Sequence, residues 1–99
     1  MSHDHQAEIT WSPALVEKGL PTQLETIAPA WFWDDQPRTR EGWSLRCAFE
    51  PSPREQGNPS RARVRFTMDA APHDRLRPGV TLRLFEPTSL QYATVRLLD

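Results

Sequence analysis

From residue 42 onward the chain places apolar residues at every second position. That period belongs to strands, because successive side chains of an extended chain point to opposite faces of a sheet. In Gly42-Trp-Ser-Leu-Arg-Cys-Ala-Phe-Glu50, the residues Trp43, Leu45, Cys47 and Phe49 share one face, and Ser44, Arg46 and Glu50 take the other. Arg61-Ala-Arg-Val-Arg-Phe-Thr-Met-Asp69 repeats the pattern, with Ala62, Val64, Phe66 and Met68 set against Arg61, Arg63, Arg65 and Thr67. Val80, Leu82 and Leu84 alternate with Thr81, Arg83 and Phe85, and Ala93, Val95 and Leu97 alternate with Tyr92, Thr94 and Arg96. A helical spacing of i, i+3, i+4 survives nowhere for longer than two turns, and ten prolines against four glycines argue against long helices.

The punctuation between these runs is equally local. Residues 51–60 (Pro-Ser-Pro-Arg-Glu-Gln-Gly-Asn-Pro-Ser) hold turn formers and no aliphatic residue, and read as a mobile loop. Pro78-Gly79 is a strong turn pair, and Thr88-Ser89 supplies a bend between the last two strands, the clearest pairing in the chain. Before residue 42 the signals weaken. Ala7-Glu-Ile-Thr-Trp11 and Ala30-Trp-Phe-Trp33 read as short strands, and Pro13-Ala-Leu-Val-Glu-Lys-Gly19 as a single helical turn closed by glycine. Residues 1–6 read as a disordered tail and 7–99 as one domain. Five or six strands without crossover helices predict an all-β fold, a small antiparallel six-stranded β-barrel.

At 99 residues the chain has room for one core. Twelve basic residues against thirteen acidic ones give a net charge of −1, which removes any general pull toward nucleic acid or anionic membrane and leaves only local patches. Cys47 is the single cysteine, so no internal disulfide framework and no Cys-x-x-Cys redox pair can form. No stretch approaches the roughly 18 apolar residues of a membrane-spanning helix. A reducing, cytoplasmic setting is expected, with no membrane partner. Gly-x-x-x-x-Gly-Lys-Ser/Thr is absent from the sequence, so no nucleotide is expected.

In order and spacing, several segments resemble the C-terminal β-barrel (third) domain of elongation factor Tu and related translation factors. Ala7-Glu-Ile opens like that domain's first strand, and Ala28-Pro-Ala-Trp-Phe-Trp33 stands where the family has an aromatic strand introduced by proline. Arg77-Pro-Gly-Val-Thr-Leu-Arg-Leu-Phe-Glu86 is similar to the family's Gly-x-x-Phe-x-x-x-x-Glu strand, and Tyr92-Ala-Thr-Val95 to its Gly-Ala-Gly-Val. The resemblance implies a standalone six-stranded barrel. The family's tRNA-contact residues do not carry over: Glu17-Lys-Gly-Leu-Pro-Thr22 stands in place of a Gly-Gly-Arg-His-Thr-Pro-like run, and Phe85-Glu-Pro-Thr-Ser-Leu90 replaces a basic hairpin tip.

Catalytic signals are thin. Cys47 lies on the inferred inward face, where burial keeps a thiol neutral. Asp34-Asp35 and His73-Asp74 are adjacent pairs, which point apart on a strand and have no fixed geometry in a loop. His3, Asp4 and His5 offer metal donors close together but read as tail, so no metal, cofactor or enzymatic activity is expected. Binding has better candidates. Trp31, Phe32 and Trp33 must be shared between two faces, leaving a large ring outside the core beside Arg38. Trp31, Trp33 and Arg38 are therefore the expected protein-binding residues, either for a partner or for self-association. The competing account has Trp11, Trp31, Trp33 and Trp43 plugging the barrel ends. The alternative function is that of a small protein binding RNA or tRNA through an arginine-rich sheet face made of Arg46, Arg61, Arg63, Arg65 and Arg83. A solvated face paired with this chain's own carboxylates competes with that reading.

Overall fold

The computed structural model describes residues 4–33, 42–85 and 91–99. Six strands, β1 (His5–Trp11), β2 (Glu25–Phe32), β3 (Trp43–Phe49), β4 (Ser60–Phe66), β5 (Thr81–Phe85) and β6 (Gln91–Leu97), close into a barrel in the order β1-β4-β3-β2-β5-β6. All neighbouring pairs are antiparallel. Two short helices, α1 (Pro13–Lys18) and α2 (Pro53–Gln56), and a 3₁₀ turn at His73–Arg75 complete the described elements. No helix among the described residues is long and apolar enough to cross a membrane.

The alternating runs do what their period requires. Leu45, Cys47 and Phe49 of β3, Ala62, Val64 and Phe66 of β4, Leu82 and Leu84 of β5 and Ala93, Val95 and Leu97 of β6 are all buried. The interior fills by setting small residues against large ones: Ala62 faces Phe49, Ala93 faces Trp11, and Ala28 faces Leu45 across the ladders. A barrel of this size is packed with its own side chains, so anything it binds must sit on its outside or its ends.

Five features depart from the sequence expectation. β1 starts at His5, two residues before Ala7, because His5 and Gln6 pair with Val64 and Arg63. At the other edge the Gln6 amide donates to the Asp99 carboxylate (2.7 Å), and the Leu98 amide donates to the Gln6 carbonyl (2.8 Å). β2 begins at Glu25 rather than Ala30. Its periodicity is masked because Ile27, 59% exposed, and Pro29 put apolar groups on the outward face, and a mid-strand proline reads as a strand breaker. The β2–β5 ladder covers Ala30–Phe32, immediately past that proline. β4 stops at Phe66, where the Thr67 amide bonds the Ser44 carbonyl and the chain turns away, leaving Met68 52% exposed instead of inward. Phe85 is not solvent-facing: a register shift at Leu84/Phe85 and the edge of Trp31 (ring centroids 4.9 Å) leave it 9% exposed.

The fifth departure is the connection at 51–60, which has a built form. Ser52 caps α2 and is buried with Pro53. The Gln56 side chain accepts from the Arg61 amide (2.7 Å) and donates to the carbonyls of Pro51 and Arg61. Asn58 Oδ1 accepts from the Trp11 amide (2.9 Å), and Trp11 Nε1 donates to Ser60 Oγ (3.0 Å), which itself donates to the Gly57 carbonyl. α2 is fastened to the segment after α1 by Arg54, whose backbone and Nε donate to the Pro21 and Leu20 carbonyls. Gly19 is required there: its φ is +113°, and a Cβ would stand 2.8 Å from an Arg54 guanidinium nitrogen.

Candidate interaction site

β2 ends by delivering aromatics to two environments. Phe32 faces in and is buried, while Trp31 and Trp33, two residues apart, face out. Trp31 is half-covered by its packing on Phe85, and Gly42 sits so close that a Cβ there would stand 2.7 Å from the indole. Trp33 lies one residue past β2, where its amide donates to the Thr81 carbonyl (2.8 Å), and it remains 50% exposed. Of the four tryptophans, Trp11 is core and Trp43 is partly buried against it. Trp33, by contrast, is not part of that cluster.

One arginine lies over the exposed ring and a second covers its buried neighbour. Arg83 of β5 is the ladder partner of Trp31, and its guanidinium reaches diagonally over the Trp33 ring, 4.1 Å from the centroid. Arg75 lies 3.7 Å over the Phe32 ring, covering the end of the barrel at that point. The 3₁₀ turn bearing Arg75 is braced. His73 Nε2 lies 3.0 Å from the Met68 carbonyl and 3.2 Å from that of Asp69, the His73 ring meets Phe66 edge-on, and Ala71 and Leu76 are buried in the core. Arg77 Nε donates to the Asp74 carbonyl (2.9 Å), and the Gly79 amide to that of Leu97. Together Phe32, Trp33, Asp74, Arg75, Arg77, Gly79, Val80 and Thr81 line an open groove of about 450 Å³. His73-Asp74 thus shapes the groove's wall, with the histidine ring turned to backbone carbonyls.

The arginine-rich face comes together in part. Arg46 and Arg65 are register partners across β3 and β4, and Ala48 opposite Arg63 leaves a shallow groove of about 130 Å³ lined by Asp4, Arg46, Ala48, Arg63 and Arg65. Arg83 is not on this surface; β2 lies between β3 and β5. The chain's own carboxylates occupy much of the rest. Arg46 bonds Glu25 at 2.6 Å, and Arg65 approaches Asp4 at 3.8 Å. Arg61 and Arg63 have no carboxylate within ion-pair distance among the described residues.

The remaining candidates separate. Cys47 is fully buried, and burial pushes its thiol up from 9.0 to about 12. His5 lies 4.0 Å from the Asp99 carboxylate and Asp4 turns toward Arg65, so the two point to different partners. No group of three or more potential metal ligands occurs among the described residues. Arg38, Asp34-Asp35, His3 and the Thr88-Ser89 bend lie outside the described residues. The groove's arginines Arg75 and Arg77 were missed by the sequence reading, since they sit in a connection without period; the contiguous aromatics were the signal that led to its other wall. No family model, no curated protein and no solved structure matches this chain.

Proposed function

We propose that this protein is a non-enzymatic, cytoplasmic interaction module, a barrel similar to the C-terminal domain of elongation factor Tu, that holds a protein partner at the groove beside Trp33. The observation that carries the reading is Trp33 itself. A half-exposed indole, stacked on an arginine at the mouth of a braced groove, combines the residue types that dominate interface energetics. Trp31 supports the site from behind through Phe85 rather than by touching a partner. The only cysteine, held neutral inside the barrel, is unsuited to nucleophilic work.

The test is affinity capture from the protein's own cell extract with wild type and Trp33→Ala side by side, reading proteins and RNA in the same eluate. The expected result is one protein lost with Trp33→Ala and retained at moderate salt. A second reading, RNA binding through the sheet, is favoured by Arg61 and Arg63, which form no ion pair among the described residues. It expects RNA that washes off with salt and is lost with Arg63→Glu while Trp33→Ala captures it normally. That outcome would displace the groove from the proposal.

A further inference from the structure

We infer that the protein partner is a second copy of this chain, packed face to face against the first along the outer side of β2, with the two β2 strands antiparallel; this rests on the interaction reading above and names its partner. The outer surface of the barrel is polar along most strands, as at Gln6 and Glu8 of β1, Arg61 and Arg63 of β4, and Thr94 and Arg96 of β6. β2 is built differently. After Glu25, its outward positions are Ile27, Pro29 and Trp31, and Trp33 follows in phase, an apolar stripe about 20 Å long. Ile27 is 59% exposed, Trp33 is 50% exposed and Pro29 is exposed between them. Trp31, half-covered by Phe85, forms the floor of the stripe rather than its contact points. These side chains add nothing to the barrel's core, and contiguous apolar groups on an outer face mark a contact surface.

The two ends of the stripe decide what covers it, because they carry opposite charge. At one end the Glu25 carboxylate, 44% exposed, accepts from Arg46 through Oε2 and makes no bond through Oε1 among the described residues. At the other, Arg83 is partly exposed, lies over the Trp33 ring and forms no ion pair among the described residues. Arg83 is the ladder partner of Trp31, six residues along β2 from Glu25, so about 20 Å separates the two charges within one molecule. A two-fold axis crossing β2 at Pro29 brings them together between molecules. Ile27 of one copy then comes between Pro29 and Trp33 of the other, and Glu25 comes over the other copy's Trp33, where Arg83 lies. The symmetry makes each contact twice. An axis running along β2 would instead set Glu25 against Glu25, so charge selects the antiparallel arrangement. An unrelated protein would have to supply the same stripe reversed, which a second copy has by symmetry, and a net charge of −1 offers little repulsion between copies.

The experiment is sedimentation velocity of the whole chain over a concentration series, for wild type, Ile27→Lys, Glu25→Arg, Arg83→Glu and an equimolar mixture of the two charge variants. The expected result is a concentration-dependent dimer in wild type, with the dimer Kd raised about tenfold or more by each single change. Ile27 and Glu25 are exposed, so those two variants should keep the wild-type melting temperature within a few degrees. The mixture is the decisive sample. Each charge variant alone sets like charges together at both contacts, whereas a mixed dimer pairs Arg with Glu at both, so dimer should return on mixing. A wild type that is monomeric at every concentration overturns the inference, as does a dimer indifferent to Ile27→Lys and Glu25→Arg. A mixture that dimerises no better than its components overturns it as well. Should Arg83→Glu fail to fold, Ile27→Lys and Glu25→Arg still decide the matter. A monomeric wild type that nevertheless captures a different protein through Trp33 refutes this inference and keeps the interaction reading, so the two fail separately.

Discussion

Trp11 and Trp33 show how little a residue's type says about its job. Trp11 is 2% exposed, stacks on Tyr92 with centroids 6.1 Å apart and donates its indole N–H to a buried serine, so Trp11→Ala should cost about 3–5 kcal/mol in denaturant unfolding. Trp33→Ala removes a half-exposed ring and one cation–π contact; the expected loss is about 1 kcal/mol or less, and capture of the partner should fail while the fold persists. Cys47 gives a pH prediction with a definite sign. Its folded-state pKa lies above the unfolded value, so its contribution is complete below pH 9.0 and is lost as the pH rises toward about 12. Between those limits the unfolded thiol ionises and the folded one does not. Wild type should lose stability faster than Cys47→Ala there, by up to about 1.4 kcal/mol per pH unit. Unfolding curves at a series of alkaline pH values compare the two slopes, and parallel slopes would show that the thiol is not the group responsible.

Among the elements, the 51–60 connection is where sequence and structure differ most. Its residues are turn formers, and turn formers carry no periodicity to read. What orders them is long-range: Asn58 bonds the Trp11 backbone, and Arg54 bonds the Leu20 carbonyl. Asn58→Ala would leave the part-buried Trp11 amide without its partner, a loss of about 1–3 kcal/mol. Hydrogen exchange at the Trp11 amide should accelerate more than at the Val95 amide in the barrel interior, and equal protection in both proteins would remove Asn58 from this role. Strands β3, β5 and β6 lie where alternation places them, because apolar-in and polar-out is written residue by residue. β2 was half-legible: Ala30 and Phe32 alternate properly, but Ile27 and Pro29 break the signal on the outward face. The Arg46–Glu25 pair, 37% and 44% exposed, sits on that same outer surface and adds little to stability.

At the scale of the molecule, closure joins strands remote in the chain. β1 pairs with β4 and with β6, and β2 with β5. Loops must close before these contacts form, which slows folding. A single-exponential refolding phase on the millisecond-to-second scale is expected in stopped-flow, against microseconds for local topologies. The sequence by itself determined that this chain makes a small all-β barrel and which side chains of its last four strands face inward, Met68 and Phe85 excepted, since a period of two depends only on neighbours along the chain. It also pointed to the aromatic run at Trp31–Trp33. Only the tertiary structure decided that Trp31 is half-covered while Trp33 stays open, that Arg83 leaves the other arginines to lie over that indole, and that Arg75 and Arg77 complete the groove. Those outcomes follow from strand order, register and the path of a core-anchored connection, which are set by pairing between distant residues and by how the closed barrel packs.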